Sequence, residues 1–134
     1  MKPNIKWEPL LNAAREARKM AYAPYSGFPV GAALIGERGK IYTGCNVENS
    51  SYGLTVCAER VALYKAVSEG ETQPKAIVVV ADTEKSLSLC GACRQVLAEF
   101  NTEILVLAAN TKGVKTVTTL SQLLPEPFGK KSME

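Results

Sequence analysis

Cys57, Cys90 and Cys93 are the residues of this sequence best suited to metal chemistry. Cys90 and Cys93 are three residues apart at the start of a predicted helix, so both sulfurs project from one face and can share a tetrahedral metal ion. Cys57 begins a second predicted helix, and its sulfur can join them if both helices start at one edge of a sheet. Three thiolates would leave the fourth position of a zinc ion open for water, as in catalytic zinc sites.

A Cys-x-x-Cys pair is a weak signal by itself, and other interpretations stay open. Cys90 and Cys93 are also compatible with a redox dithiol, with half of a structural zinc site, or with two small buried residues. Cys45, at the end of a predicted strand, would be the fourth ligand of a closed site in a non-enzymatic, zinc-stabilised binding protein. An open metal site and a closed one are therefore competing predictions.

Glu59 is the candidate general acid and base near these cysteines. The chain contains no histidine, so this role falls to a carboxylate, Lys, Tyr or Cys. Glu59 lies two residues after Cys57, and both can face one metal only if they project from the first turn of the helix. Otherwise Glu59 only complements the helix dipole. Arg60 is either a surface cation or a charge that offsets the negative charge of three thiolates on zinc.

The elements that would position these residues alternate between helix and strand. Predicted helices cover residues 8–21, 57–68, 91–100 and 121–124, and predicted strands cover residues 29–35, 40–45, 75–81, 104–108 and 114–118. The first two strands form a hairpin, and the apolar run 75–81 is typical of a central strand buried on both faces. This order predicts an α/β fold with helices covering a mixed sheet, and 134 residues fit one domain spanning residues 1–134.

Composition and charge disfavour several classes of protein. The formal charge of +3 is spread along the chain without a long basic run, which disfavours nucleic-acid binding. No apolar segment approaches the roughly 18 residues of a membrane span. The first residues lack the apolar core of a secretory signal, so we expect a cytoplasmic protein. In that reducing compartment, four cysteines favour metal binding over disulfides.

Two segments together resemble the zinc signature of the cytidine deaminase family in its short homotetrameric form. They are Cys57-Ala58-Glu59-Arg60 and Cys90-Gly91-Ala92-Cys93-Arg94-Gln95, and residues 22–26, 28–33 and 45–49 also fit the family. The resemblance implies a three-layer sandwich with a mixed five-stranded sheet flanked by helices. It also implies zinc-dependent hydrolysis of cytidine and deoxycytidine to uridine and deoxyuridine, with release of ammonia, in pyrimidine salvage.

The resemblance assigns roles in the chemistry to five residues. Cys57, Cys90 and Cys93 would hold one zinc ion per chain. Glu59 would carry protons from the attacking water to N3 of the base and then to the leaving amine. Arg60 would soften the charge of the ligand thiolates.

The resemblance also assigns substrate contacts, which spacing alone does not. Phe28 would pack against the pyrimidine, although its position at a strand start is equally typical of a core residue. Asn46 and Glu48 would bind the ribose hydroxyls, where turn chemistry is the alternative. Ala58 would offer its backbone N–H to the substrate. Phe128 would reach the site of a neighbouring subunit in a homotetramer.

One position departs from the family pattern, and two substrate alternatives stay open. Leu89 stands where the family usually has proline before the Cys-x-x-Cys. The absence of proline frees the backbone of Ser88-Leu89, where a carbonyl helps to hold the leaving amine in the family. A deaminase of another aminopyrimidine, such as an antibiotic nucleoside, is a competing interpretation, although Asn46 and Glu48 suit a ribose. Editing of a polynucleotide is disfavoured by the weak charge asymmetry, so the expected partner is a small-molecule nucleoside, with no nucleic acid and no membrane.

Overall fold

The computed structural model describes residues 4–84 and 88–133. The helices are α1 Trp7–Arg18, α2 Ala58–Ser68, α3 Gly91–Ala98 and α4 Leu120–Leu123. The strands are β1 Val30–Gly36, β2 Ile41–Cys45, β3 Pro74–Ala81, β4 Leu105–Asn110 and β5 Lys115–Thr119, and short 3-10 turns lie at Tyr52–Leu54 and Lys130–Met133. Every predicted helix and strand is present, with ends that differ by a few residues.

The largest difference is at α1, which ends at Arg18 rather than at residue 21. Met20 extended the apolar pattern of the prediction, but its side chain is 77% exposed and contributes nothing to the core. The chain leaves the helix here because Tyr22 forms an isolated parallel β-bridge with Val47. The prediction was therefore wrong about this end, since a backbone pairing with a distant residue outweighed local helix propensity.

The five strands form one mixed sheet in the order β2-β1-β3-β4-β5. Strand β1 is antiparallel to β2 and β3, β3 is parallel to β4, and β5 is antiparallel to β4. The prediction that β3 is central is confirmed. Since β2, β3 and β4 run in the same direction, their carboxyl ends lie at one edge of the sheet, together with the start of β1.

Helices cover both faces of the sheet, which gives the predicted three-layer α/β sandwich. Helix α1 buries Leu10 and Leu11 in an apolar cluster on one face. Helices α2 and α3 bury Leu63 and Leu97 in a second cluster on the other face. Burial of these two apolar layers is the main force that holds the helices at fixed positions on the sheet. No helix in the described part of the chain is long and apolar enough to cross a membrane.

Two glycines let the helices approach the strands closely. A Cβ at Gly31 of β1 would lie 2.1 Å from the Ala14 carbonyl oxygen of α1. A Cβ at Gly44 of β2 would lie 2.5 Å from both the Ala58 carbonyl oxygen and the Ala62 nitrogen of α2. Only glycine fits at these contacts, so Gly44 allows the first turn of α2 to sit against the end of β2.

Candidate active site

Cys57 and Cys90 occupy the same position in two different helices. Each is the N-cap residue, with φ −74° and ψ 154° at Cys57 and φ −67° and ψ 157° at Cys90. The prediction that α2 begins at Cys57 was therefore wrong by one residue, because its backbone is extended and the helix starts at Ala58. The connections into α2 and α3 leave the same edge of the sheet, after β2 and β3, so the two N-caps converge there.

The three predicted sulfur atoms form one cluster. The Sγ atoms of Cys57, Cys90 and Cys93 all lie within 4.8 Å of one another. Cys90 Sγ is 2.9 Å from Cys93 Sγ and 3.7 Å from Cys57 Sγ, and it accepts a hydrogen bond from the Cys93 backbone N–H at 3.4 Å. Cys45 is not a member of this cluster. The closed site that would use Cys45 as a fourth ligand is thus not formed.

The electrostatics of this cluster fit a thiophilic cation such as zinc. A hydrogen bond with the Cys93 thiol, reinforced by the Arg60 guanidinium, lowers the pKa of Cys57 to about 5. The same hydrogen bond raises the pKa of Cys93. Arg60 Nη2 lies 3.6 Å from Cys57 Sγ, and the buried Arg60 Nε has no hydrogen-bond partner in the described part of the chain. Thiolate sulfur is a preferred ligand of zinc, and the guanidinium beside it stabilises the thiolate form.

Glu59 is buried beside the sulfur cluster. Glu59 is only 4% exposed. Burial raises the pKa of its carboxyl, and the negative charge of Cys57 raises that pKa further. Because Cys57 is an N-cap and not a helical residue, it and Glu59 can both face the cavity although they are two residues apart. A buried carboxyl with a raised pKa is suited to general acid–base chemistry.

A cavity of about 250 Å³ opens onto the cluster. Its lining residues come from the loops before β1 and after β2, from the start of α2, and from the connection into α3: Ser26, Phe28, Val30, Asn46, Glu48, Thr55, Cys57, Ala58, Glu59, Ser88 and Cys90. We call the part beside the sulfur cluster, lined by Cys57, Glu59 and Cys90, the metal end. The part lined by Asn46 and Glu48 is called the sugar end, after their predicted ribose contacts. The size is close to the roughly 300 Å³ lower limit of small-molecule sites.

At the sugar end, the Asn46 side chain already binds the backbone. Its Nδ2 donates to the Phe28 carbonyl at 2.9 Å, and its Oδ1 accepts from the Val30 N–H at 2.8 Å. Asn46 is only 8% exposed. Its two hydrogen bonds hold the chain that enters β1 in place. This structural role adds to the predicted one, because the amide keeps one further N–H for a ligand.

Glu48 is held by three donors from the turn before β1. Its carboxylate accepts from the backbone N–H groups of Tyr25 at 2.9 Å and Ser26 at 3.1 Å, and from the Ser26 hydroxyl. The hydroxyl bond is the first cause that lowers the pKa of Glu48, and the two backbone bonds add to it. The carboxylate is thus ionised and oriented at the mouth of the cavity.

The sequence analysis assigned no role to the hydroxyl groups of three residues of the cavity wall. They are Ser26, Thr55 and Ser88. Each lies two residues before a predicted site residue, and this proximity is the signal that could have found them. Small polar side chains are common in turns, so their type alone did not distinguish them.

Ala58 and Phe128 are placed differently. Ala58 lines the cavity as the first residue of α2, where a backbone N–H has no partner within the helix. Phe128 is 62% exposed and is not among the residues that line the cavity of its own chain. Its backbone is bound at both polar atoms by the Gln95 side chain of α3, with Phe128 N–H donating to Gln95 Oε1 at 3.3 Å.

Comparison with known sequences gives a consistent result. Residues 5–109, which include Cys57, Glu59, Cys90 and Cys93, match the family described as the cytidine and deoxycytidylate deaminase zinc-binding region. The cytidine deaminase of Sporosarcina psychrophila is 54% identical over 127 residues, covering 94% of this chain and 93% of that protein. The cytidine deaminase of Halalkalibacterium halodurans is 50% identical over 125 residues, covering 92% and 95%.

Solved structures show the same similarity in three dimensions. The crystal structure of cytidine deaminase from Burkholderia pseudomallei superimposes with a TM-score of 0.89 at 46% identity, covering 92% of this chain and 100% of that one. The structure of cytidine deaminase from Mycobacterium tuberculosis gives a TM-score of 0.82 at 40% identity, covering 94% and 99%. The similarity extends over nearly the whole chain, including the sheet and the helices that carry the cluster.

Proposed function

This chain belongs to the cytidine and deoxycytidylate deaminase family, and on that premise we propose that it hydrolyses cytidine and deoxycytidine to uridine and deoxyuridine with release of ammonia. The observation that carries the proposal is the convergence of three cysteine sulfurs and the buried Glu59 carboxyl on one cavity. We assign the reaction to pyrimidine salvage in the cytoplasm, because its substrates are free nucleosides.

We assign one zinc ion per chain to Cys57, Cys90 and Cys93. When bound, zinc supplies a Lewis acid that makes water nucleophilic near neutral pH. Two helix N-termini and the Arg60 guanidinium place positive potential beside the three thiolates. This positive potential offsets the negative charge that three thiolates would otherwise impose on the site.

Glu59 performs the proton transfers. It takes a proton from the attacking water and delivers it to ring N3, as the oxygen bonds to C4 and C4 becomes tetrahedral. It then moves a second proton from the added hydroxyl to the exocyclic amine, the C4–N bond breaks, and ammonia leaves with its bonding electron pair. The base retains a C4 carbonyl. The raised pKa of Glu59 suits a group that must accept and donate protons at neutral pH.

The other cavity residues orient the nucleoside. Glu48 and the remaining N–H of Asn46 bind the ribose hydroxyls, and Phe28 packs its ring beside the pyrimidine. The backbone N–H of Ala58 binds the polar edge of the base. All four residues line the same cavity as Cys57 and Glu59, which supports these assignments.

We propose that the protein assembles as a homotetramer in which Phe128 contributes to a neighbouring site. Five large side chains close in sequence to the cavity loops are 44% to 75% exposed: Tyr22, Tyr25, Val47, Tyr52 and Leu54. An apolar surface of this kind favours burial against a partner chain. Light scattering should give about four times the 14.4 kDa chain mass, and a monomer would contradict the assembly without affecting the chemistry.

The decisive experiment follows loss of the cytosine ultraviolet band at neutral pH after zinc quantification. Wild type is compared with Glu59→Ala and with the control Glu16→Ala, which removes a carboxylate that pairs with the exposed Lys19. We expect one zinc per chain in all three and a loss of about 100- to 10,000-fold in turnover for Glu59→Ala alone. Zinc binding without turnover of either nucleoside would refute the proposed substrates and direct the search to other aminopyrimidines. A metal-free chain with a reversibly oxidised Cys90–Cys93 pair would favour a redox protein.

A further inference from the structure

Arg94 follows Cys93 on α3 and binds the wall of the cavity. Its guanidinium donates from Nε to the Leu89 carbonyl at 2.8 Å, from Nη2 to the Ser88 hydroxyl at 2.6 Å, and from Nη1 to the Leu123 carbonyl at 2.8 Å. All three acceptors are neutral, and Arg94 makes no ion pair within the described part of the chain. The side chain therefore acts through the directions of its hydrogen bonds.

The segment that Arg94 holds forms part of the metal end. Ser88 and Cys90 line the cavity, and Leu89 between them is only 3% exposed and belongs to the core cluster under α2 and α3. A shift of Ser88 and Leu89 would move the cavity wall beside the cluster. A buried leucine side chain fixes one side of this segment, and Arg94 fixes the polar side.

The other end of the same connection is held separately. Asn110 Nδ2 donates to the Thr83 carbonyl at 2.8 Å and to the Glu84 carbonyl at 3.0 Å, close to the end of β3. These bonds are several residues away from the cavity. Among the described residues, the contacts of Arg94 are the side-chain hydrogen bonds that act directly on Ser88 and Leu89.

We propose that Arg94 is a positioning residue, which holds Ser88 and Leu89 in the place where the reacting end of a bound nucleoside meets the wall. The inference rests on the proposed deamination. Proline would lock φ at position 89 through its ring, whereas leucine carries no such covalent constraint. The Arg94 bond to the Leu89 carbonyl supplies the missing constraint.

Arginine is the only side chain that can make this set of contacts. Its planar fork presents separate N–H groups to three acceptors from two segments of the chain. Lysine carries all its donors on one nitrogen, so it cannot reach the same three acceptors together. Arg94→Lys should thus lose function although it keeps the charge, and Arg94→Met should lose at least as much.

The test measures kcat, KM and zinc content for wild type, Arg94→Lys and Arg94→Met. We expect kcat/KM for cytidine to fall by about 10- to 100-fold, the scale of a misplacement of about 1 Å. The loss should lie mainly in kcat, with one zinc per chain retained. In the zinc-free chain, backbone amides of residues 88–98 should exchange hydrogen faster in both variants, which provides a readout independent of turnover.

Two control variants separate positioning from general stability. Arg15→Met removes an α1 arginine whose side chain hydrogen-bonds to Asn12 within the described part of the chain and does not line the cavity, so kcat should not change. Asn101→Ala removes a bond to the Pro74 carbonyl, so it should lower the melting temperature without changing kcat.

Ser88→Ala should lower kcat less than Arg94→Met does. Adding Ser88→Ala to Arg94→Met should lower kcat little further.

The outcomes distinguish this inference from the proposed function. If wild type does not deaminate cytidine, the proposed function fails. If wild type is active and both Arg94 variants stay within about twofold of it in kcat/KM, only the role of Arg94 is refuted. A loss that follows zinc content, or that Asn101→Ala reproduces at the same melting temperature, also refutes positioning.

Discussion

The two ends of the cavity are built in opposite ways. At the metal end, the sulfurs of Cys57, Cys90 and Cys93 lie within 4.8 Å of one another and the Glu59 carboxyl is buried, so several ionisable groups are packed together away from water. At the sugar end, the Asn46 amide and the Glu48 carboxylate are satisfied by backbone N–H and C=O groups of the loops.

This difference shows which end depends on a bound group. Helices seated on the core hold the metal end, so its sulfurs stay together, and the proposed zinc ion would complete their charge balance. Local hydrogen bonds hold the sugar end, so it keeps its shape without a ligand. Changes at the metal end should therefore abolish metal binding and chemistry, while changes at the sugar end should alter affinity and local stability.

The largest expected effect comes from removing one sulfur of the cluster. Cys90→Ala should weaken zinc binding by more than about 100-fold, since even outer-shell partners of a metal are worth about 10- to 100-fold. Turnover should fall to background with the metal. Cys90 is exposed, so its loss should leave the fold intact.

Cys45→Ala is the matched control for this change, because Cys45 lies outside the cluster. Zinc measured by atomic absorption should stay near one per chain in Cys45→Ala. Loss of zinc from Cys45→Ala, or its full retention in Cys90→Ala, would remove the distinction between the two cysteines.

A smaller effect is expected at the sugar end from Glu48→Gln. The amide can still accept from the turn but loses the charge that strengthens bonds to ribose hydroxyls. KM for cytidine should rise by about tenfold, the scale of one charge-assisted hydrogen bond, with little change in kcat or zinc. Steady-state kinetics should be compared with Glu103→Gln, whose carboxylate accepts from the Ser121 hydroxyl outside the cavity. A fall in kcat with unchanged KM would place Glu48 in the chemistry instead.

The smallest effect is the pH dependence of the loop that Glu48 holds. Its folded-state pKa is lowered, first by the Ser26 hydroxyl bond, so the carboxylate stabilises the fold above the ordinary glutamate pKa of about 4.5. That stabilisation is lost as the pH falls through the lowered folded-state value. In the zinc-free chain, wild type should melt no more than about 3 °C above Glu48→Gln near neutral pH. The gap should close in acid, and a gap that widened would contradict the lowered pKa.

Patterns of consecutive residues predicted the framework well. The apolar run of β3 predicted a central strand, because a strand buried on both faces needs apolar side chains on both. The spacing of Cys90 and Cys93 placed both sulfurs on one helical turn, and the structure has them 2.9 Å apart. These features depend on backbone periodicity, which can be recognised directly in the order of residue types.

Contacts between distant residues were not predictable in the same way. The end of α1 depends on the pairing of Tyr22 with Val47. The partners of Glu48 lie 22 and 23 residues away, and one acceptor of Arg94 lies 29 residues away. Such hydrogen bonds leave no periodic trace, because they depend on how loops meet after the core has formed.

The sequence by itself determined the alternation of helix and strand, the apolar layers and the set of sulfur and carboxyl groups available for chemistry. Only the tertiary structure decided that Cys57 joins Cys90 and Cys93 while Cys45 does not. The physical reason is the direction of the strands. Because β2 and β3 point the same way, their following helices begin at one edge of the sheet, and the N-caps of those helices bring the sulfurs together.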